Sequence, residues 1–238
     1  ITGLFDGSVI DAFFYAFGPY EFARSLQALS GQIDVGDTLV SRDKLAQAAG
    51  QDGVLLNRHA HVTDLADERI RSVTAPNNDT LYTSAVLELS QTPVRVTLPA
   101  SGDRYLTVAL MDMFTDQAAM IGADEHGGKG GVFTIVGPDT PPVDDANVIR
   151  LPSNDVWLLV RTFVAGTGDL EAARAVQSGV IVEPVDANAV ARRFKIKAPA
   201  EMESKTFLGL TNELLGRSPS HPQLARAAPF SSKGVVPG

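Results

Sequence analysis

The chain has 238 residues, 44% of them hydrophobic and 20% charged, proportions that suit a soluble globular protein with one large core or two small ones. The formal net charge of −8 argues against a nucleic-acid partner, because an acidic surface repels phosphate. The absence of cysteine excludes disulfides, thiolate nucleophiles and metal–thiolate sites, and no apolar run reaches the roughly 18–20 residues needed to cross a bilayer.

The N-terminal part, residues 1–75, is predicted to be largely helical. Apolar residues recur at helical spacing from about Phe5 to Leu29, and Gly18-Pro19 should break or kink that helix. The aromatic side chains of this segment favour a helix packed on a sheet over a ligand pocket. A second, short helix is predicted from Asp37 to Ala49.

Residues 76–166 are rich in β-prone runs bounded by Pro, Gly, Asp or Ser. The runs are closely spaced without long helices between them, which favours antiparallel sheets over a parallel doubly wound sheet. The predicted fold class is therefore mainly β, with an antiparallel β-sandwich or jelly-roll-like core and helices at both ends. The predicted strands are Thr80–Leu89, Val94–Leu98, Tyr105–Phe114, Val132–Val136, Val148–Leu151 and Val156–Val164.

Helical spacing returns in residues 167–238. The predicted helices are Leu170–Ser178 and Ser204–Leu215. The last residues, from Pro219 to Gly238, are rich in Pro, Ser and Gly, so we expect a surface tail in which His221 is inert. No internal repeat divides the chain, and a single domain over residues 1–238 is predicted.

Strand alternation places two charged residues on apolar faces. Within Tyr105–Phe114, Asp112 alternates with large apolar residues, and Arg161 does so within Val156–Val164. A buried carboxylate or guanidinium is costly unless an opposite charge pairs with it. Asp112 and Arg161 are therefore expected either to form a structural ion pair or to line a ligand pocket.

The run Asn77-Asn78-Asp79-Thr80-Leu81-Tyr82 forms the second polar cluster. Asn and Asp in a tight turn usually bond their own backbone, which would suffice to explain Asn77 and Asp79. Tyr82 can bring a phenol to the same cavity, and a tyrosine beside a carboxylate can work as an acid or a base.

The spacing of Gly53, His59 and His61 copies the opening of a cupin metal motif. The carboxylate that a metal site requires is out of place and the second half of the motif is missing, so no metal is expected. His61 is instead expected to be a neutral hydrogen-bonding or acid–base group. Motifs for phosphate cradles, dinucleotides and serine hydrolases are absent, and no cofactor is predicted.

Taken together, these motifs resemble the bacterial family called domain of unknown function 1254. Its most specific match is the run Pro76–Ser84, which contains the Asn-Asn-Asp-Thr-Leu-Tyr signature. Further matches, in chain order, are Tyr15 to Tyr20, Asn57, His61, Asp103-Arg104-Tyr105, Met111-Asp112, Ile121-Gly122, Val156 to Thr162 and Gly168-Asp169-Leu170. The resemblance covers nearly the whole chain.

This resemblance implies a jelly-roll-like β-sandwich with flanking helices. It also implies frequent export behind a signal peptide and frequent pairing with a second domain, domain of unknown function 1214. The first residue is Ile1 rather than Met, so we expect a secreted or periplasmic protein whose leader has been removed, with a cytoplasmic protein as the alternative. The family carries no settled reaction.

The preferred function is a cofactor-independent enzyme of the hydrolase, lyase or isomerase type, acting on a small organic substrate in a polar pocket. The expected catalytic residues are Asp112, Asp79, Tyr82 and His61, and the expected substrate-binding residues are Arg161, Arg104, Asn78 and Asn57. In this hypothesis an arginine holds a carboxylate of the substrate or stabilises an oxyanion.

Two other functions stay open. The first is a non-catalytic domain of the cell envelope that binds carbohydrate or lipid-like ligands, an idea based on fold analogy. The second is a structural domain in which Asp112 and Arg161 form a closed pair. A homo-oligomer or a partner domain is possible with each of these functions.

Overall fold

A computed structural model describes residues 8–34, 42–49, 54–67, 75–199 and 201–237. Its α-helices are α1 (Val9–Leu29), α2 (Arg42–Ala48), α3 (Ala123–His126), α4 (Leu170–Gln177) and α5 (Ser204–Gly216). Its strands are β1 (His59–Val62), β2 (Thr80–Glu88), β3 (Val94–Leu98), β4 (Leu106–Met111), β5 (Gln117–Ile121), β6 (Gly131–Val136), β7 (Val148–Arg150), β8 (Asp155–Phe163) and β9 (Ile181–Pro184). Short 3-10 helices cover Thr167–Asp169, Pro222–Arg226 and Ala228–Lys233.

The described strands form two sheets. The five-stranded sheet has the order β1-β2-β8-β4-β5, and all of its pairings are antiparallel. The four-stranded sheet has the order β7-β6-β3-β9, in which only the β6–β7 pair is parallel. The predicted antiparallel sheets and terminal helices are confirmed, but the chain is a mixed α/β protein rather than a mainly β one.

One hydrophobic cluster holds the two sheets together. The five-stranded sheet contributes Leu87, Leu110 and Leu158, and the four-stranded sheet contributes Val96 and Ile135. These five side chains are fully buried, and each one contributes about 1.5–3 kcal/mol to folding. Because side chains alternate along a strand, the neighbours of these residues lie on the opposite face of each sheet.

The opposite face of the five-stranded sheet is covered by helices. Val86 of β2 joins a second cluster with Ala16 and Leu26 of α1 and with Leu210 and Leu214 of α5. The five-stranded sheet is therefore the middle layer of the molecule, between the helices and the four-stranded sheet.

Helix α1 continues through Gly18-Pro19, so of the two predicted effects, a break or a kink, the break does not occur. Pro19 lacks a backbone N–H, but its buried side chain packs in the same layer as Tyr20, and such packing outweighs the loss of one intrahelical bond. Ser8 caps the helix by accepting the Asp11 N–H at 3.1 Å. The predicted start at Phe5 lies outside the described residues.

The residues after Pro219 are packed against the protein and are not a surface tail. Phe230 and Val235 are almost completely buried in the cluster formed by α1 and α5. The Tyr15 hydroxyl donates a hydrogen bond to the Gln223 carbonyl at 3.1 Å. A composition rich in Pro, Ser and Gly therefore misled the prediction, because a few apolar residues suffice to anchor a segment of 3-10 turns.

None of the described helices combines the length and the apolarity needed to cross a bilayer.

Candidate functional site

A cavity of about 630 Å³ lies where an edge of the five-stranded sheet meets an edge of the four-stranded sheet. Its walls come from α2, β1 and β9 and from the residues beside them. The polar side chains that line it are Lys44, Gln47, Arg58, His59, His61, Thr63 and Glu183. Its volume falls within the range of pockets that hold small molecules.

Two imidazole rings share this cavity. His59 and His61 are two residues apart on β1, so strand alternation directs both rings to the same face. Their ring centroids are 4.7 Å apart. In the β1–β2 register they lie opposite Ala85 and Thr83.

The proton position on His59 follows from its hydrogen bond. The backbone N–H of Val182 in β9 donates to Nδ1 of His59 at 3.0 Å, whereas the Val182 carbonyl oxygen lies farther from Nδ1, at 3.4 Å. The Nδ1 lone pair is therefore engaged, and the neutral ring carries its proton on Nε2. Since Val182 lies on an edge strand, this bond also links the two sheets.

His61 has a hydrogen-bond partner that can either donate or accept. Its Nδ1 lies 2.8 Å from Oγ1 of Thr83, a fully buried hydroxyl. Burial, together with the charges of His59 and Lys44, lowers the pKa of His61 from 6.5 to about 4. Burial also lowers the pKa of His59. Both rings are consequently neutral at pH 7.

The charged groups around the two rings are mainly positive. Lys44 donates from Nζ to Thr63 Oγ1 at 3.0 Å and lies 3.7 Å from Asp64. Arg58 is exposed, and Glu183 lies 4.0 Å from Arg95. In the part of the chain that the structure describes, two cations and one carboxylate therefore line the cavity.

The donor set fits a ligand with acceptor atoms better than it fits a metal ion. The described residues contain no group of three or more His, Asp or Glu side chains that could hold a metal. In addition, Nε2 of neutral His59 carries a proton and so offers no lone pair for coordination.

Tyr82 and Arg161 lie on the opposite side of the five-stranded sheet from His61. They are direct partners in the β2–β8 register, whereas His61 pairs with Thr83, the next residue along β2. The Tyr82 hydroxyl accepts the Asn77 N–H at 2.8 Å. The side chain of Arg161 is half-buried and takes part in no hydrogen bond or ion pair among the described residues.

Asp112 does not pair with Arg161, so the first of the two expected arrangements, a structural ion pair, is not formed. β4 ends at Met111, and Asp112 begins the tight turn that leads to β5. Its Oδ2 lies 3.0 Å from Nε2 of His221, and its Oδ1 accepts the backbone N–H groups of Phe114 and Asp116. His221 is also buried, which corrects its prediction as an inert tail residue.

Arg104 and Asn57 bind other parts of the protein. Arg104 forms a bidentate pair with Asp169 at 2.6 and 2.7 Å, and these bonds hold the pKa of the Asp169 carboxyl well below its usual range. Asn57 exchanges two hydrogen bonds with the backbone of Glu88. Both side chains are thereby engaged in internal bonds.

Asn78 and Asp79 are exposed in the turn before β2. Among the predicted site residues, only His61 lines the cavity. Sequence reasoning missed Lys44, Glu183 and the donor role of His59. The polar His-Ala-His stretch was the one signal that could have indicated them, because nothing in the sequence brings residues 44, 59–61 and 183 together.

A second cavity, of about 500 Å³, lies beside Arg192 and Arg217. Both guanidinium groups already have acidic partners, because Arg192 binds Glu88 at 3.1 Å and Arg217 binds Asp155 through two bonds of 2.7 Å. The guanidinium groups of this cavity are therefore held by carboxylates of the protein itself.

Among solved structures, the chain is similar to the VPA0106 protein from Vibrio parahaemolyticus, with a TM-score of 0.71 and 21% identity over 96% of this chain and 51% of that one. An uncharacterized protein from Burkholderia cenocepacia aligns over 95% of this chain and 50% of its own, with 16% identity and a TM-score of 0.40, too low to bear on the fold. The chain thus spans about half the length of these proteins. No protein with a curated description matches the sequence.

The sequence profile described as "Protein of unknown function (DUF1254)" matches residues 56–184, which is more than half of the chain. The match contains the Asn-Asn-Asp-Thr-Leu-Tyr run and both histidines of the cavity. The chain therefore belongs to the DUF1254 family.

Proposed function

We propose that this chain is a cofactor-independent enzyme, of the hydrolase, lyase or isomerase type, whose small organic substrate binds in the cavity between β1 and β9. One observation carries the proposal: two imidazole rings lie side by side, half-buried, in a cavity of about 630 Å³. Perturbed titratable groups in a concave site are typical of functional sites.

The two histidines would have different roles. His59, whose proton is on Nε2, donates a hydrogen bond to a substrate oxygen and stabilises negative charge that develops there. His61 can carry its proton on either nitrogen, because the Thr83 hydroxyl can donate or accept. Since His61 is unprotonated at pH 7 before the substrate binds, it can take up a proton in the complex and return it during the reaction.

The test is a turnover screen with small esters, lactones, hydroxy acids and keto acids. We expect His61→Gln to lower turnover by about 10²–10⁴-fold, the usual contribution of a general acid or base. Lys205→Gln, a change at a side chain that is 82% exposed and remote from the cavity, should leave turnover unchanged. Equal turnover by wild type and His61→Gln would refute the catalytic role.

A non-catalytic carbohydrate- or lipid-binding domain is the alternative. The N-terminal half of α1 favours a lipid-like ligand, because Val9, Ile10 and Phe14 each expose about two thirds of their surface, at 68%, 67% and 64%. A screen in which no class of substrate is turned over would favour this alternative.

We also propose that the two sheets form a jelly-roll-like sandwich, that the protein is secreted or periplasmic, and that it works as a homo-oligomer or beside a partner domain. The family resemblance supports the first two points. The length of the VPA0106 chain, of which this chain covers 51%, supports the partner domain within the third point.

A further inference from the structure

The cavity is lined by imidazole groups and by cationic side chains, both of which can donate hydrogen bonds. His59 points a fixed Nε2 proton away from its bond with Val182, and His61 lies beside it with a ring centroid 4.7 Å away. Lys44 and Arg58 add positive charge to the same walls. Such a set of donors and cations recognises oxygen atoms that carry negative charge.

Two acidic side chains, Glu183 and Asp64, lie near this set of donors and cations. Glu183 is the only carboxylate among the described lining residues, and it is exposed and lies 4.0 Å from Arg95. Asp64, beside the cavity, is shared between Lys44 and Arg174, whose Nη2 lies 2.9 Å from it. Among the described residues that line the cavity, two cations, Lys44 and Arg58, therefore accompany one carboxylate, Glu183.

We infer that the cavity holds its ligand by an oxyanion group of the carboxylate or phosphate class, and that His61 takes up a proton when this group binds. The inference rests on the proposed function for the location of the substrate, and it adds the substrate's chemical class. Without a bound oxyanion, burial and neighbouring positive charge favour the neutral ring. A bound oxyanion reverses the sign of the nearest charge and favours the imidazolium ion.

The test follows the affinity for sulfate by the NMR signals of the two rings, with acetate as the planar carboxylate probe. Sulfate keeps its charge through the experiment, so only the protein titrates. Wild type should bind sulfate several-fold more tightly at about pH 5 than at pH 7, because the ligand favours protonated His61. His61→Gln should bind more weakly and lose most of this pH dependence, whereas Lys205→Gln should behave like wild type.

The contributions of the other charged and titratable groups around His61 are controlled by comparing variants. His59 titrates beside His61, so His59→Gln is measured as well and should weaken binding while part of the pH dependence remains. Lys44, Arg58 and Glu183 are the other charged groups that line the cavity, and all three are unchanged in His61→Gln. Any general gain in positive charge at low pH is also present in His61→Gln and is thereby subtracted.

Two results would overturn the inference: no sulfate or acetate binding by the wild type, or binding by His61→Gln with an unchanged pH dependence. The inference and the proposed function can be contradicted independently of each other. Turnover of a neutral substrate without oxyanion binding would contradict the inference alone, and oxyanion binding without any turnover would contradict the catalytic proposal alone.

Discussion

Nε2 of His221 lies 3.0 Å from Oδ2 of Asp112, and both side chains are buried. The Gln223 N–H donates to Nδ1 of His221 at 3.2 Å, which leaves the ring proton on Nε2 for the carboxylate. With two backbone N–H groups on its other oxygen, Asp112 has a complete set of partners. This pair fastens the C-terminal segment to the turn between β4 and β5.

The first prediction concerns this pair. Asp112→Ala and His221→Phe should each lower the free energy of unfolding by about 1–3 kcal/mol, because each leaves a buried polar partner without its hydrogen bond. Urea denaturation measures the change, with Asp144→Ala at an exposed carboxylate as the control. If Asp112→Ala lost turnover without losing stability, this result would support the catalytic role that was predicted for Asp112 from the sequence.

The second prediction compares two arginines. Arg217→Met should cost about 3–5 kcal/mol, because it leaves the Asp155 carboxylate buried without its bidentate partner. Arg161→Met should change stability by less than about 1 kcal/mol, because Arg161 has no acidic partner among the described residues. Equal losses in the two variants would show that Arg161 is bound more firmly than the structure indicates.

Lowering the pH should reduce the loss in the free energy of unfolding that Arg217→Met causes. Burial raises the pKa of Asp155 above 3.8, and the charge of Arg217 opposes that rise. A carboxyl with a raised pKa binds a proton in the folded state more readily than in the unfolded state, so its ionisation destabilises the fold as the pH increases above 3.8. The difference in stability between wild type and Arg217→Met should therefore be smaller near pH 4 than at pH 7.

The third prediction is a pH dependence that originates at His61. Its pKa is about 4 in the folded protein and 6.5 in an unperturbed ring, so between these values the unfolded state binds more protons. The contribution of this difference in pKa to the free energy of unfolding is fully present above pH 6.5 and is lost as the pH is lowered to about 4. Wild type should lose more stability than His61→Gln over this range, as measured by urea midpoints, and parallel curves would contradict the lowered pKa.

The fourth prediction compares two glycines in the loop before β6. Gly127 and Gly130 both have positive φ, at 56° and 75°, but an added Cβ meets open space at Gly127 and the Leu98 and Pro99 backbone at Gly130. Gly127→Ala should cost about 1 kcal/mol and Gly130→Ala about 3 kcal/mol. Thermal unfolding distinguishes the two variants, and equal costs would mean that the loop rearranges.

The strands inside the sheets were predictable from the sequence, and most of the edge strands were not. β2, β3, β6 and β8 coincide with predicted runs to within a residue or so at each end, because buried strands are continuously apolar or strictly alternating. The missed strands β1, β5 and β9 are all edges, where fewer side chains need to be apolar. β5, for example, exposes most of its residues.

The candidate site was only partly predictable for a related reason. Periodicity correctly placed Arg161 on the face with Trp157, but Asp112 follows the end of its strand, where alternation no longer applies. The cavity itself depends on two sheet edges that meet in space. His59 and Val182 are far apart in the chain, and no local pattern could have predicted the bond between them.

The most direct measurement is a long-range ¹H–¹⁵N spectrum of the histidine rings at pH 7, assigned with His59→Gln and His61→Gln. We expect both rings to be neutral, with the His59 proton on Nε2, and we expect the His61 signals to begin to titrate only as the pH approaches about 4. A charged ring at pH 7, or a His59 proton on Nδ1, would contradict the proposed site.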